Sequence, residues 1–230
     1  MHARDELAAA LAQLGLAAPR PVLVLAGDAA GGTLAPETLR PVFDEVLLPR
    51  AAAHGACIVD GGTDAGVMRM LGCAHADAGG GPPIVGVVVD ALAGHPGSPP
   101  ADPAGAALEE HHTHFVLVDG TRWGDEAPWI AAVAEALSGA GAAPSATVLV
   151  GGGDIARDDV GHSVRAGRIV IAVAGSGRTA DVIAAAARGE GGDERVLALA
   201  AGGLLRAVEL DDRTGLAAAI DRALDAGATP

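Results

Sequence analysis

The chain has 230 residues, a formal net charge of −14, 50% hydrophobic and 19% charged residues, and its 15 basic residues are all arginine. That length fits one well-filled α/β domain, the composition excludes a disordered body, and the acidic balance argues against nucleic-acid partners, whose phosphate backbone calls for a basic surface. With no lysine in the chain, a Walker-type phosphate loop and any lysine Schiff base are excluded.

From the N-terminus, residues 1–18 read as a helix, followed by an apolar strand at Pro21–Ala26 and a helix at Leu39–His54. Further strands are expected at Ala56–Val59, Ile84–Val89, His114–Val118, Thr147–Val150 and Ile169–Val173, alternating with helices at Val67–Asp77, Pro128–Leu137, Ile155–Ala166 and Ala180–Arg188. Leu205–Leu210 and Leu216–Leu224 read as a last strand and a closing helix. Alternation of short, continuously apolar strands with longer helices specifies a Rossmann-like α/β fold, an open parallel sheet covered by helices on both faces. Leu92–Glu110, rich in proline, sustains neither helix nor central strand and is expected to be a surface loop or a lid.

No apolar run approaches the roughly 20 residues that span a bilayer, and the N-terminus lacks a basic region followed by an apolar one, so the reading is a cytoplasmic chain without a membrane partner. Cys57 and Cys73 show no CxxC spacing and are expected to be reduced and buried.

Several strands run into glycine, with or without an acid: Gly27-Asp28, Gly61-Gly62-Thr63 with Gly66, Asp119-Gly120, Gly151-Gly152-Gly153-Asp154, and Gly175-Ser176-Gly177-Arg178-Thr179. In open α/β sheets ligands bind outside the carboxyl ends of the strands, where glycines admit close backbone approach and helix N-termini favour anions. These are therefore the candidate ligand-binding residues, with Arg178 as a phosphate clamp. Three histidines, His111, His112 and His114, beside Glu109 and Glu110 invite a metal reading. Strand alternation puts His112 and His114 on one face and His111 on the other, without a second ligand pair, so neither a metal nor a cofactor is expected. No GxSxG, HExxH or GxxxxGK[ST] motif is present.

Gly61-Gly62-Thr63…Gly66-Val67-Met68, the run His111 to Thr121 and Gly175 to Ile183 resemble, in that order, the N-terminal cytosolic domain of melastatin-type transient receptor potential channels. The likeness extends from about Val22 to Ala187. That domain belongs to the SLOG superfamily, and the resemblance implies a Rossmann-like fold and the binding or sensing of a nucleotide-derived, ADP-ribose-like molecule. The channel domains usually carry two aspartates where this chain has only Asp119 before Gly120.

The same superfamily holds the LOG-type phosphoribohydrolases, whose motif PGGxGTxxE resembles Gly175 to Asp181 in part. Aligned on Thr179, the family's second glycine falls at Ser176, the glycine before the threonine at Arg178 and the first glutamate at Asp181. The reading that follows is a single domain over 1–230 that binds a phosphorylated nucleotide-derived molecule, with a homo-oligomer left open. Asp28, Asp119 or Asp154 would accept ribose hydroxyls. The alternative is an N-glycosidic bond hydrolase in which Asp181, or Asp64, supplies the carboxylate and Arg178 grips phosphate.

Overall fold

A computed structural model describes residues 2–29, 34–95 and 97–225, with side chains from Glu6 onward. Met1, Pro96 and residues 226–230, which fall in the expected N-terminal helix, the expected loop and the tail of the domain, lie outside the described residues.

The helices are α1 (His2–Gln13), α2 (Pro36–Pro41), α3 (Leu48–Ala53), α4 (Gly66–Asp77), α5 (Ala127–Leu137), α6 (Asp154–Arg165), α7 (Arg178–Ala187), α8 (Glu194–Ala200) and α9 (Arg213–Asp225). The strands are β1 (Val22–Gly27), β2 (Cys57–Asp60), β3 (Ile84–Val89), β4 (Ala93–Gly94), β5 (Ala106–Ala107), β6 (His114–Val118), β7 (Ser145–Val150), β8 (Ile169–Ala174) and β9 (Leu205–Glu209). Seven of them form one parallel sheet in the order β6-β3-β2-β1-β7-β8-β9. The open parallel α/β fold read from the sequence is the fold of the chain.

Strand alternation sorts side chains to the two faces. Leu23 and Leu25 of β1, Val148 and Val150 of β7 and Ile171 and Val173 of β8 pack under α2, α3, α4 and α9. Val22 and Val24 face α1 and α5 on the other side, and Ala26, Leu149 and Val170 face α6, α7 and α8. Burial on both faces explains why the strands read as unbroken apolar runs.

The expected helix at Leu39–His54 starts earlier and is interrupted: α2 passes into a π-helical segment, Val42–Leu47, and then into α3. Phe43, Val46 and Leu47 of that segment are buried, so the wider turn keeps apolar side chains on the sheet side of a rod that strict α periodicity would rotate. The N-terminal helix is shorter than expected, because the Leu16 N–H donates to the Leu11 carbonyl in a terminating loop closed by Gly15. The expected loop folds back on itself, pairing β4 with β5 in parallel. α8 was not anticipated; Asp193 Oδ1 caps it by accepting from the Val196 N–H at 2.9 Å.

Cys57 is fully buried and burial pushes its thiol up to about 12, whereas Cys73 is only half-buried, a correction to the expectation of two buried thiols. A thiolate-selective reagent at pH 8 is expected to label Cys73 first, with Cys57 modified only on unfolding; mass spectrometry of partly labelled protein checks the order.

Candidate functional site

From β1 the chain proceeds outward through β2, β3 and β6, then returns to the centre and proceeds the other way through β7, β8 and β9. The crevice between the carboxyl ends of β1 and β7 is thus the point where strand order reverses, and ligands of open α/β sheets bind at such points. A cavity of about 570 Å³ opens there, within the usual range for small-molecule sites.

Of the candidate residues, Gly27, Asp28, Gly61, Thr63, Gly153, Asp154 and Arg178 line this cavity. Asp28, at the end of β1, is buried: its Oδ2 accepts from the Gly152 N–H at 2.8 Å and its Oδ1 pairs with Arg178. Arg178 therefore hangs over the cavity from α7 with its guanidinium already oriented by a carboxylate. It also has φ of +52°, a backbone region that favours glycine. The hydrolase motif that the sequence resembles places glycine at this position, where this chain carries a charged side chain.

The rest of the glycine loops are spent on the protein itself. Thr179 and Ala180, in the first turn of α7, donate their N–H groups to the carbonyls of Gly152 and Gly151, and the Thr179 hydroxyl donates to the Gly153 carbonyl. Ser176 Oγ accepts from the Gly151 N–H at 2.8 Å. Gly175, Ser176, Gly177 and Thr179 are outside the cavity, and Ser176 and Thr179 brace the triple-glycine loop, whose Gly151 and Gly152 lie against Asp28. Gly62 packs on Gly86 and Phe115, and Gly66 on the Asp28 carbonyl.

Asp181 is exposed and accepts from the Gly175 N–H at 2.7 Å, and Asp64 pairs with Arg69 at 2.6 Å. Neither acid named for hydrolysis reaches the cavity wall. Asp119 and Gly120 follow the sheet's edge strand; Asp119 lines a separate shallow groove with Glu6 and Trp129, and Gly120 packs on Asp125.

α6 opens differently from α7. Its N-cap, Gly153, has no side chain to cap with, and its first internal bond runs from the Arg157 N–H to the Gly153 carbonyl. The N–H groups of Asp154, Ile155 and Ala156 therefore have no intrahelical partner, and all three residues line the cavity beside Arg178. Free helical N–H groups of α6 and the Arg178 guanidinium thus border the same part of the cavity.

The lining away from Arg178 is apolar, with Leu25, Met68 and Ile130, and carries residues that the sequence reading missed: Trp123, Glu126 and Asp159. The Trp123 indole N–H donates to the Ala104 carbonyl at 2.8 Å, tying the Leu92–Glu110 segment to the rim. Glu126 is buried at the start of α5 and accepts from the Gly124 N–H at 2.8 Å; burial raises its pKa. Burial and the nearby Glu126 and Asp158 push Asp159 up to about 7.

The histidine cluster is no strand-borne ligand set. His111 and His112 precede β6 in a turn, and both turn toward Glu109. His112, buried, sits between Glu109 Oε2 at 2.7 Å and Asp60 Oδ1 at 2.9 Å, while His114 interacts with Thr113 and the Leu14 carbonyl. Burial alone would lower the pKa of His112, but Asp60 and Glu109 together raise it to about 9. The cluster is an ionic staple joining the end of β2 to the segment before β6. Among the described residues no group of His, Cys, Asp and Glu is arranged to hold a metal ion, and no helix is long and apolar enough to cross a membrane.

Residues 20–219 match the protein family described as "SLOG in TRPM, prokaryote". No curated protein matches the chain. Among solved structures, the Moco carrier protein of Chlamydomonas reinhardtii is similar at 17% identity and a TM-score of 0.56, covering 90% of this chain and 99% of that one. A second structure, of the molybdenum cofactor carrier protein of the same alga, gives 19% identity and 0.55 at the same coverage. At these identities the likeness is one of fold.

Proposed function

The chain belongs to the prokaryotic SLOG family related to the TRPM channel domain, and we propose that it binds a phosphorylated, nucleotide-derived small molecule in the β1/β7 crevice. The observation that carries this reading is the pairing of an uncapped α6 N-terminus with Arg178 at one end of a 570 Å³ cavity whose other end is apolar and acid-lined. A phosphoryl group fits the first end, where N–H groups and a guanidinium converge. Hydroxyl and N–H donors of a sugar and base fit Asp154, Glu126 and Asp159, while Asp28 serves mainly to orient Arg178.

Charge count narrows the ligand. Among the described residues Asp28, Glu126, Asp154 and Asp159 line the cavity with one cation, Arg178, so a ligand with one phosphoryl group and several donors suits it better than a polyphosphate. Hydrolysis of an N-glycosidic bond is the less favoured reading, since Asp181 and Asp64 are engaged elsewhere.

Arg178→Gly keeps the left-handed backbone and removes the guanidinium. Calorimetric titration with AMP, GMP and ADP-ribose is expected to show binding to the wild type weakened at least tenfold in the variant, about 1.4 kcal/mol. Equal affinities would reject Arg178 as the phosphate ligand. Chromatography of the same nucleotides after incubation reads hydrolysis directly, and release of free base would favour the enzyme.

A further inference from the structure

The two edges of the sheet are built differently. β9 carries Arg206 and Glu209, both exposed, with Glu209 held by Arg188, and charges of this kind keep an edge strand from pairing with another chain. β6, at the other edge, reads His-Phe-Val-Leu-Val, without an acid, an arginine or a proline. Among the described residues no strand pairs with its outer side, and Leu117 stands 42% exposed there.

Which backbone groups face outward follows from the register. The Ile58 N–H donates to the Pro83 carbonyl, so the odd-numbered residues of β3 bond to β2 and the even-numbered ones to β6. With Val85 opposite His114, Ile84, Gly86 and Val88 take His114, Val116 and Val118 as partners. The N–H and C=O groups of Phe115 and Leu117 are thereby turned to the open side.

This edge is its own complement. An antiparallel second copy centred on Val116 sets Phe115 opposite the partner's Leu117 and Leu117 opposite the partner's Phe115, closing four backbone hydrogen bonds. The same register stacks aromatic on aliphatic side chain twice and covers the exposed leucine. Charge agrees with the direction. Asp119 follows the C-terminal end of β6 and shares the adjoining groove with Glu6; antiparallel pairing sets Asp119 beside the partner's Thr113 and His114, whereas parallel pairing would bring the acidic ends together. A strand pair alone buries less than the roughly 1,200–2,000 Å² of a stable interface. The exposed side of α1, which lines the groove through Ala10 and reaches His114 through Leu14, supplies further apolar surface.

We propose that the chain forms a two-fold dimer in which the β6 edges of two copies join their sheets into one, with Phe115, Leu117 and the exposed side of α1 as the seam. The seam is apolar and backbone-bonded, yet each body carries a net charge of −14. Association therefore tightens as salt screens the repulsion between the two bodies.

Sedimentation equilibrium of the full chain at about 1–100 µM, a range that interfaces of this size class occupy, is expected to return twice the 22.4 kDa mass of one chain. Added salt is expected to strengthen the dimer. Leu117→Lys puts a charge on the seam at a position already exposed in the single chain and is expected to weaken association about tenfold or more. Leu197→Lys, at an equally exposed position on α8, is expected to leave it unchanged. Val116→Cys reads the register: across a two-fold at residue 116 the facing Cα atoms come within about 4.5 Å, close enough for a disulfide. The oxidised variant is expected to run as a covalent dimer without reductant, and wild type, with Cys57 and Cys73 alone, as a monomer under the same denaturing conditions. A monomer across the whole concentration range overturns the proposal, as does a dimer that Leu117→Lys leaves intact. Should Leu117→Lys lower the melting temperature, the Val116→Cys cross-link decides: its formation upholds the β6 seam and its absence overturns it.

Discussion

Replacing His112 with alanine is expected to lower stability by about 3–5 kcal/mol at pH 7, a fall in melting temperature on the order of 10 °C for a domain of this size. The substitution leaves Asp60 and Glu109 buried and facing an emptied site, and among the described residues Asp60 Oδ2 already has no partner. The effect has a sign in pH. The folded-state pKa of His112, about 9, lies above its unfolded value, so its contribution is complete below about 6.5 and is lost as pH rises through about 9. Urea unfolding of wild type and His112→Ala at pH 6, 8 and 10 checks this: the gap between them should narrow at pH 10. An unchanged gap would mean that the ring acts by packing on Phe115 and not by charge.

The second large effect is expected at Gly66. Its φ is +50°, and a β-carbon there would lie 1.7 Å from the Asp28 carbonyl oxygen. Gly66→Ala adds left-handed strain and a collision with backbone that no rotamer relieves, together about 3 kcal/mol or more. The next N–H, that of Val67, donates to the same carbonyl at 2.9 Å, so the end of β1 must shift and Asp28 with it. Lower thermal stability is expected together with weaker nucleotide binding, although residue 66 lies outside the cavity. Gly79→Ala, at a site with positive φ but open space around the added carbon, controls for strain alone.

The five inner strands, β1, β2, β3, β7 and β8, were legible because they are buried on both faces and carry the signal of that burial in four to six consecutive residues. The short α8 was not, since most of its residues are exposed and its strongest marker is a single capping aspartate. At the site, glycines announced where the loops are but not what they serve: the same pattern that admits a ligand also admits another loop, as the α7 turn and the triple-glycine loop demonstrate. Asp159 carried a signal that could have been read. It falls with Ala156, Val160 and Ser163 on the buried stripe of α6, an acid where helical periodicity asks for an apolar residue. Glu126 and Trp123 had no such mark, because only the tertiary fold brings the start of α5 across from α6.

The sheet order also has a meaning for synthesis. β1 is made first, yet its neighbour β7 is made more than a hundred residues later, and the Asp28–Gly152 bond closes across 124 positions. On the ribosome the central strand is left with one flank open until most of the chain has emerged, an arrangement of high contact order that slows folding. The crevice comes into being only when the second half docks on the first, so a ligand seated there would act as a late clamp, favouring chains that have completed that union over those still waiting for it.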